Sequence, residues 1–119
     1  MSERRWSGWQ AYCQSKLAQI MMAFDLAEAL ADSGVTVNAL HPATLMPTKM
    51  VLGRFGVQST LEDGMRNTVR LVADPSLSNV SGRYFDGDRE ARAHPQAYDR
   101  AARTRLRDLS RKLCGLADP

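Results

Sequence analysis

Between Ser7 and Asp32 no proline interrupts the chain, and Leu17, Ile20, Met21, Phe24, Ala27, Leu30 and Ala31 recur at three- and four-residue spacing. That period places them on one stripe of a long helix. Gly34 follows, at the point where a residue free to adopt the left-handed conformation closes a helix without strain. The pattern then changes. Val35-Thr36-Val37-Asn38-Ala39-Leu40 is short and rich in β-branched side chains, which suits a strand. A long helix giving way to a strand across one glycine is a unit of α/β architecture, and the remaining residues have to be compatible with it.

They are. Pro42 and Pro47 bound a stretch that is neither helix nor central strand. Ser59 and Glu62 have the spacing of a capping box, so a second helix is expected from Ser59, with Leu61, Met65, Thr68, Val69 and Val72 as its buried stripe and Asp74-Pro75 as its end. Arg83-Tyr84-Phe85 reads as a short strand closed by Asp86-Gly87. A last helix is expected from about Pro95, with Ala102, Leu106, Leu109 and Leu113 as its apolar face and Gly115 as its stop. The order helix, strand, helix, strand, helix predicts an α/β fold with parallel strands. Two parallel strands form a poor sheet alone, since such pairs are normally flanked by others and buried on both faces. The expected fold is therefore the C-terminal part of a doubly wound parallel sheet, Rossmann-like, with residues 1–119 forming one half of a single domain.

Composition narrows the setting. With 44% hydrophobic and 24% charged residues the chain is globular in character. It has no apolar run long enough for a membrane span. Residues Met1 to Trp6 lack the apolar core of a signal peptide. Cys13 and Cys114 have no metal-like spacing and are expected to be reduced thiols, which suggests a cytoplasmic protein. The net charge is +3, and Arg100, Arg103, Arg105, Arg107, Arg111 and Lys112 crowd the last third. Asp99 and Asp108 interrupt that run and no aromatic residues are interleaved, so it is expected to be a solvated helix face and not a nucleic-acid surface. His41 and His94 each precede a proline and are expected to be structural, and Asp86-Gly87-Asp88 is expected to be a turn.

The stretch "YCQSK" carries chemistry. Tyr12 and Lys16 are four residues apart and so adjacent on one helix face. A free phenol, with a pKa of about 10, is a poor base at neutral pH. A nearby ammonium favours the phenolate, and the pair can then shuttle a proton. That suits moving a proton on or off an alcohol oxygen while hydride leaves or joins the carbon.

Tyr12-x-x-Ser15-Lys16, a long helix, a strand ending Val37-Asn38-Ala39-Leu40, then His41-Pro42 together resemble the short-chain dehydrogenase/reductase family. Lys16 and Pro42 are 26 residues apart, in keeping with that family, and Gly82 to Gly87, "GRYFDG", looks like its final strand. The ending, with its arginine-rich helix, looks closest to the retinol-dehydrogenase-like and protochlorophyllide-reductase-like branch. The resemblance implies an NAD(P)-dependent oxidoreductase acting on a small-molecule alcohol/carbonyl pair. In it Tyr12 would be the general acid/base, and Lys16 would tune Tyr12 and bind the nicotinamide ribose. Pro42 and the backbone near Leu45 would border the nicotinamide, and Thr48 would close the loop over the cofactor. Asn38 would hold the strand end and the loop in shape instead of touching substrate. Ala43 stands where the family has glycine, and Thr48 comes one residue late, which leaves Thr44 as a rival. The helix of Tyr12 and Lys16 commonly lies at a dimer interface in that family, so a homo-oligomer through it is implied.

Two of the family's parts do not occur in this sequence. There is no G-x-G-x-x-G turn to receive a pyrophosphate, and the eleven residues before Tyr12 are too few to carry the family's catalytic serine at its usual distance. The isolated chain is therefore expected to be inactive, and NAD and NADP cannot be told apart. The alternative is a non-catalytic remnant that acts through protein association.

Overall fold

The computed structural model of the chain describes residues 7–42 and 61–117. The first helix, α1, spans Gly8–Ala29, and Ser7 caps it by accepting the Gln10 N–H at 3.4 Å. The helix stops short of Asp32, and turns carry the chain on to Gly34, whose φ of 79° lies in the left-handed region. The Ser33 hydroxyl drives this early ending. It donates to the Leu30 carbonyl at 2.7 Å and accepts the Val35 N–H at 3.2 Å, taking backbone groups that the helix would otherwise use.

Strand β1 spans only Ala39–His41, shorter than the expected 35–40. The residues before it are satisfied by a mixture of side-chain and isolated backbone bonds instead of a regular ladder. Val37 N–H donates to Ser81 Oγ at 3.0 Å, and the Val37 carbonyl accepts from Gly82 N–H at 2.8 Å. Helix α2 then spans Leu61–Ala73, strand β2 Tyr84–Asp86, strand β3 Arg89–Ala91 and helix α3 Arg100–Leu113. Two 3-10 turns, Pro75–Leu77 and Pro95–Tyr98, punctuate the connections.

The sheet is mixed, in the order β1-β2-β3. β1 and β2 are parallel, with Leu40 opposite Phe85, as a crossover through α2 requires. β3 was not expected. It pairs antiparallel with β2 after a two-residue connection, Asp86 facing Arg89. Gly87, at φ 63°, makes that tight reversal accessible. An Arg83–Glu90 ion pair at 3.3 Å spans the hairpin. The observed fold is thus α/β with an antiparallel edge, not purely parallel.

The core gathers Met21 and Phe24 from α1 with Ala93, Ala97 and Ala102, and Leu17, Ile20, Tyr84 and Leu106 pack around them. Two helix faces depart from expectation. On α2, Met65 is 62% and Val72 84% exposed, with Leu61 and Val69 also exposed, while Gly64 and Asn67 are the buried residues. The buried edge lies about a third of a turn from the apolar stripe, because α2 docks by its small and hydrogen-bonding residues. On α3, Ala102 is buried and Leu106 packs on the core, but Leu109 and Leu113 are exposed.

The arginine run is also not simply solvated. Arg103 is 5% exposed, donates to the Ala97 carbonyl at 2.9 Å and pairs with Glu28 of α1. Arg100 reaches the same carboxylate at 3.4 Å, and Arg107 meets Asp25 at 3.1 Å. These contacts fix α3 on α1. Helix α3 begins at Arg100, not near Pro95, because Asp99 caps it by accepting the Ala101 and Ala102 N–H groups at 3.0 and 3.2 Å. His94 caps the preceding 3-10 turn, accepting the Gln96 N–H at 3.1 Å, in the structural role expected of it. At the far end Gly115, φ 69°, closes α3 in a Schellman arrangement: Leu116 N–H donates to the Arg111 carbonyl and Gly115 N–H to that of Lys112.

Two tests follow from the packing. Glu28→Gln leaves the Arg103 charge buried with a weaker partner and is expected to lower unfolding stability by about 2–3 kcal/mol, measured by urea denaturation. Adding Arg103→Met to it should recover much of the loss, since an apolar stem tolerates that site. Separately, burial raises the Tyr84 phenol above its ordinary 10.0, and the Asp86 charge adds to the effect. A raised pKa means stability that is present below the unfolded value and lost as pH climbs through the folded one. Tyr84→Phe should therefore lose less stability than the parent as pH rises above 10, read from paired thermal melts.

Candidate functional site

Tyr12 and Lys16 lie one helical turn apart near the start of α1. Tyr12 is 45% exposed, and the Lys16 ammonium stands 5.4 Å from the centre of its ring. The Ser15 hydroxyl donates to the Tyr12 carbonyl at 2.7 Å, so in this structure it serves the helix backbone. Trp9, which the sequence reading did not single out, stacks on Tyr12 with ring centres 5.7 Å apart and planes inclined by 17°. Its three-residue spacing from Tyr12 is the signal that would have found it. The assembly is a phenol flanked by an indole and an ammonium on an open helix face. An ammonium so placed is attracted to the aromatic face, and it presents a donor beside a second donor.

Pro42 follows β1 directly, at the carboxyl end of the parallel pair, where ligands of open α/β sheets bind. Its carbonyl accepts a hydrogen bond from Asn67 Nδ2 at 2.7 Å. Leu45 and Thr48, together with the rival Thr44 and with Ala43, lie outside the described residues, as does Ser59 of the expected capping box. The structure therefore brings Tyr12 and Lys16 together and sets Pro42 at the strand end. Asn38 has a holding role, but at the entry of β1 and not at its end: Nδ2 donates to the Val80 carbonyl at 2.9 Å, and Oδ1 accepts the Arg83 N–H at 3.1 Å.

Elsewhere, a cleft of about 330 Å³ is lined by Gly82, Arg83, Tyr84, Glu90, Arg92 and Tyr98 among others, and includes none of the candidate residues. Among the described residues no cluster of three or more His, Cys, Asp or Glu is placed to hold a metal ion. Cys13 and Cys114 are exposed and form no disulfide. No helix among the described residues is long and apolar enough to cross a membrane.

No family model matches the chain. Individual proteins do. Retinol dehydrogenase 13 of Mus musculus is 40% identical over 90% of the chain and 36% of its own length. Retinol dehydrogenase 13 of Homo sapiens is 37% identical over 98% of the chain and 40% of its own length. A probable oxidoreductase of Streptomyces antibioticus is 33% identical over 76% of the chain and 36% of its own length. The chain thus spans well under half the length of the curated relatives it matches.

Asn38 joins the entry of β1 to the segment leading into β2, at a separation of more than forty residues. Asn38→Ala removes both of its hydrogen bonds and is expected to lower unfolding stability by about 1–3 kcal/mol, measured as a shift of the urea midpoint at constant m-value.

Proposed function

The chain belongs to the short-chain dehydrogenase/reductase family, and from that premise we propose that it supplies the proton-transfer part of an NAD(P)-dependent oxidoreductase that interconverts an alcohol and a carbonyl. The observation that carries the proposal is the Lys16 ammonium at 5.4 Å from the Tyr12 ring on an exposed helix face.

The donors present suit the nicotinamide-ribose end of a dinucleotide. An ammonium and a phenol can both donate to hydroxyl oxygens, and Pro42 stands at the strand end where such ligands bind. Lys16 would hold the ribose, while Pro42, the backbone near Leu45, and Thr48 or Thr44 would border the nicotinamide. Bound NAD(P) supplies or accepts the hydride. Tyr12 Oη gives its proton to the carbonyl oxygen during reduction and takes it from the alcohol during oxidation. The Lys16 cation lies beside the ring that carries the charge after donation. The sequence has no G-x-G-x-x-G turn to receive the pyrophosphate.

Residues 1–119 then correspond to the C-terminal half of one doubly wound domain. Three observations support this: the share of the relatives' length that is matched, the exposed apolar stripe of α2, and β1 standing at the edge of the sheet formed by the described residues. The relatives named retinol dehydrogenases favour a long apolar alcohol as substrate. Exposed Met22 and Leu26 of α1 offer a surface for a second copy, and two exposed, unbridged cysteines favour a reducing, cytoplasmic setting.

Fluorescence titration of the isolated chain with NADH and NADPH is expected to be flat, and saturable binding would contradict the half-domain reading. In a chimera joining the upstream part of the mouse relative to this chain, alcohol oxidation is expected. There Tyr12→Phe should lower kcat by about 10²–10⁴-fold, far more than it raises the cofactor KM through the lost phenol donor. A Tyr12→Phe chimera as active as its parent would remove Tyr12 from the reaction.

A further inference from the structure

We infer that Asn67 is a positioning residue that fixes the Pro42 carbonyl, and so the carboxyl end of β1, against α2; its functional meaning rests on the reading that Pro42 borders the nicotinamide. Among the described residues, the buried polar side chains are Asn67, 7% exposed, and Arg103. Arg103 ties two helices together beside the core. Asn67 belongs to no part of the apolar cluster, so its burial has another cause.

The amide stands where three segments meet. Nδ2 of Asn67 donates to the Pro42 carbonyl at 2.7 Å, across 25 residues of sequence. The neighbouring His41 carbonyl accepts from Gly87 N–H at 2.9 Å. A Cβ added at Gly87 would lie 3.6 Å from Asn67 Nδ2, so the β2–β3 turn lies beside the same amide. Gly64, about one turn earlier on α2, is buried on the same side of the helix. A buried amide persists only where it is hydrogen-bonded. Of the two ends of an asparagine amide, only the nitrogen can donate to a carbonyl. Leucine would fill the space but leave the Pro42 carbonyl without this donor, and serine is too short to reach as far.

The location gives the bond its purpose. β1 and β2 are parallel, so His41 and Asp86 mark the same edge of the sheet, the carboxyl edge that receives ligands. A short bond from a rigid helix to the first carbonyl beyond β1 sets where that carbonyl points.

The test begins with amide hydrogen exchange on the full chain. Asn67→Asp keeps the shape and loses the donor at neutral pH, and Asn67→Ala removes the group. Both should speed exchange at Gly87 by about tenfold or more. Exchange at Ala39, held by the Arg83 carbonyl at the other end of β1, should change little. Equal acceleration at both amides would make Asn67 an ordinary structural residue, and no change at Gly87 would overturn the inference. In the chimera, Asn67→Ala should raise the cofactor KM by about tenfold with kcat changed far less, the opposite of the Tyr12→Phe pattern. An unchanged KM beside a loosened Gly87 would also overturn it. An inactive parent chimera would instead count against the proposed function, with the exchange result still deciding whether Asn67 holds Pro42.

Discussion

A guanidinium taken almost wholly out of water joins the first helix to the last. Burying a charge is unfavourable unless it is paired and hydrogen-bonded, and Arg103 has both, through Glu28 and the Ala97 carbonyl. Arg100 and Arg107 extend the contact along α1 to Glu28 and Asp25. With α3 held there, Met21 and Phe24 of α1 face Ala97 and Ala102. The opposite consequence matters more for chemistry. Once those residues point inward, Tyr12 and Lys16 are left on an exposed part of the same helix, adjacent to each other and to Trp9.

Two further surfaces stay uncovered by the described residues. An α/β sheet normally has helices on both faces and further strands beside each parallel strand. Among the described residues β1 ends the sheet on one side, and α2 turns an apolar stripe outward. Edge strands and apolar patches of this kind associate readily. In the half-domain reading proposed above an upstream half would cover both surfaces, which is why the proposal ties chemistry to a completed domain.

Local signals were legible in the sequence and long-range ones were not. The apolar period of α1 and the glycine stop of α3 depend on neighbours a few residues apart, and both were read directly. The Tyr12–Lys16 juxtaposition is of the same kind. β3 was missed because Arg89-Glu90-Ala91 has no β-branched or aromatic residue, and only the Asp86-Gly87-Asp88 turn before it announced a hairpin. Arg103 was read as solvated because charge runs usually are, and its partner Glu28 lies 75 positions away. Asn67 was hidden for the same reason, its partner being a backbone carbonyl in another element. The stripe of α2 was identified correctly as apolar, but its burial was assigned on pattern alone. Amphipathicity tells which residues seek cover, not whether this chain provides it. Of the candidate loop, only Pro42 falls within the described residues.

The central claim is geometric: one helical turn brings the Lys16 side chain against the Tyr12 ring at an open surface. Nuclear Overhauser spectroscopy of the assigned full chain tests it most directly. Cross-peaks between the Tyr12 ring protons and the Lys16 ε-methylene are expected, beside others from the Trp9 indole. Their absence, or cross-peaks from the Tyr12 ring to Met21 and Phe24 in their place, would contradict the claim and with it the assignment of Tyr12 as the proton carrier.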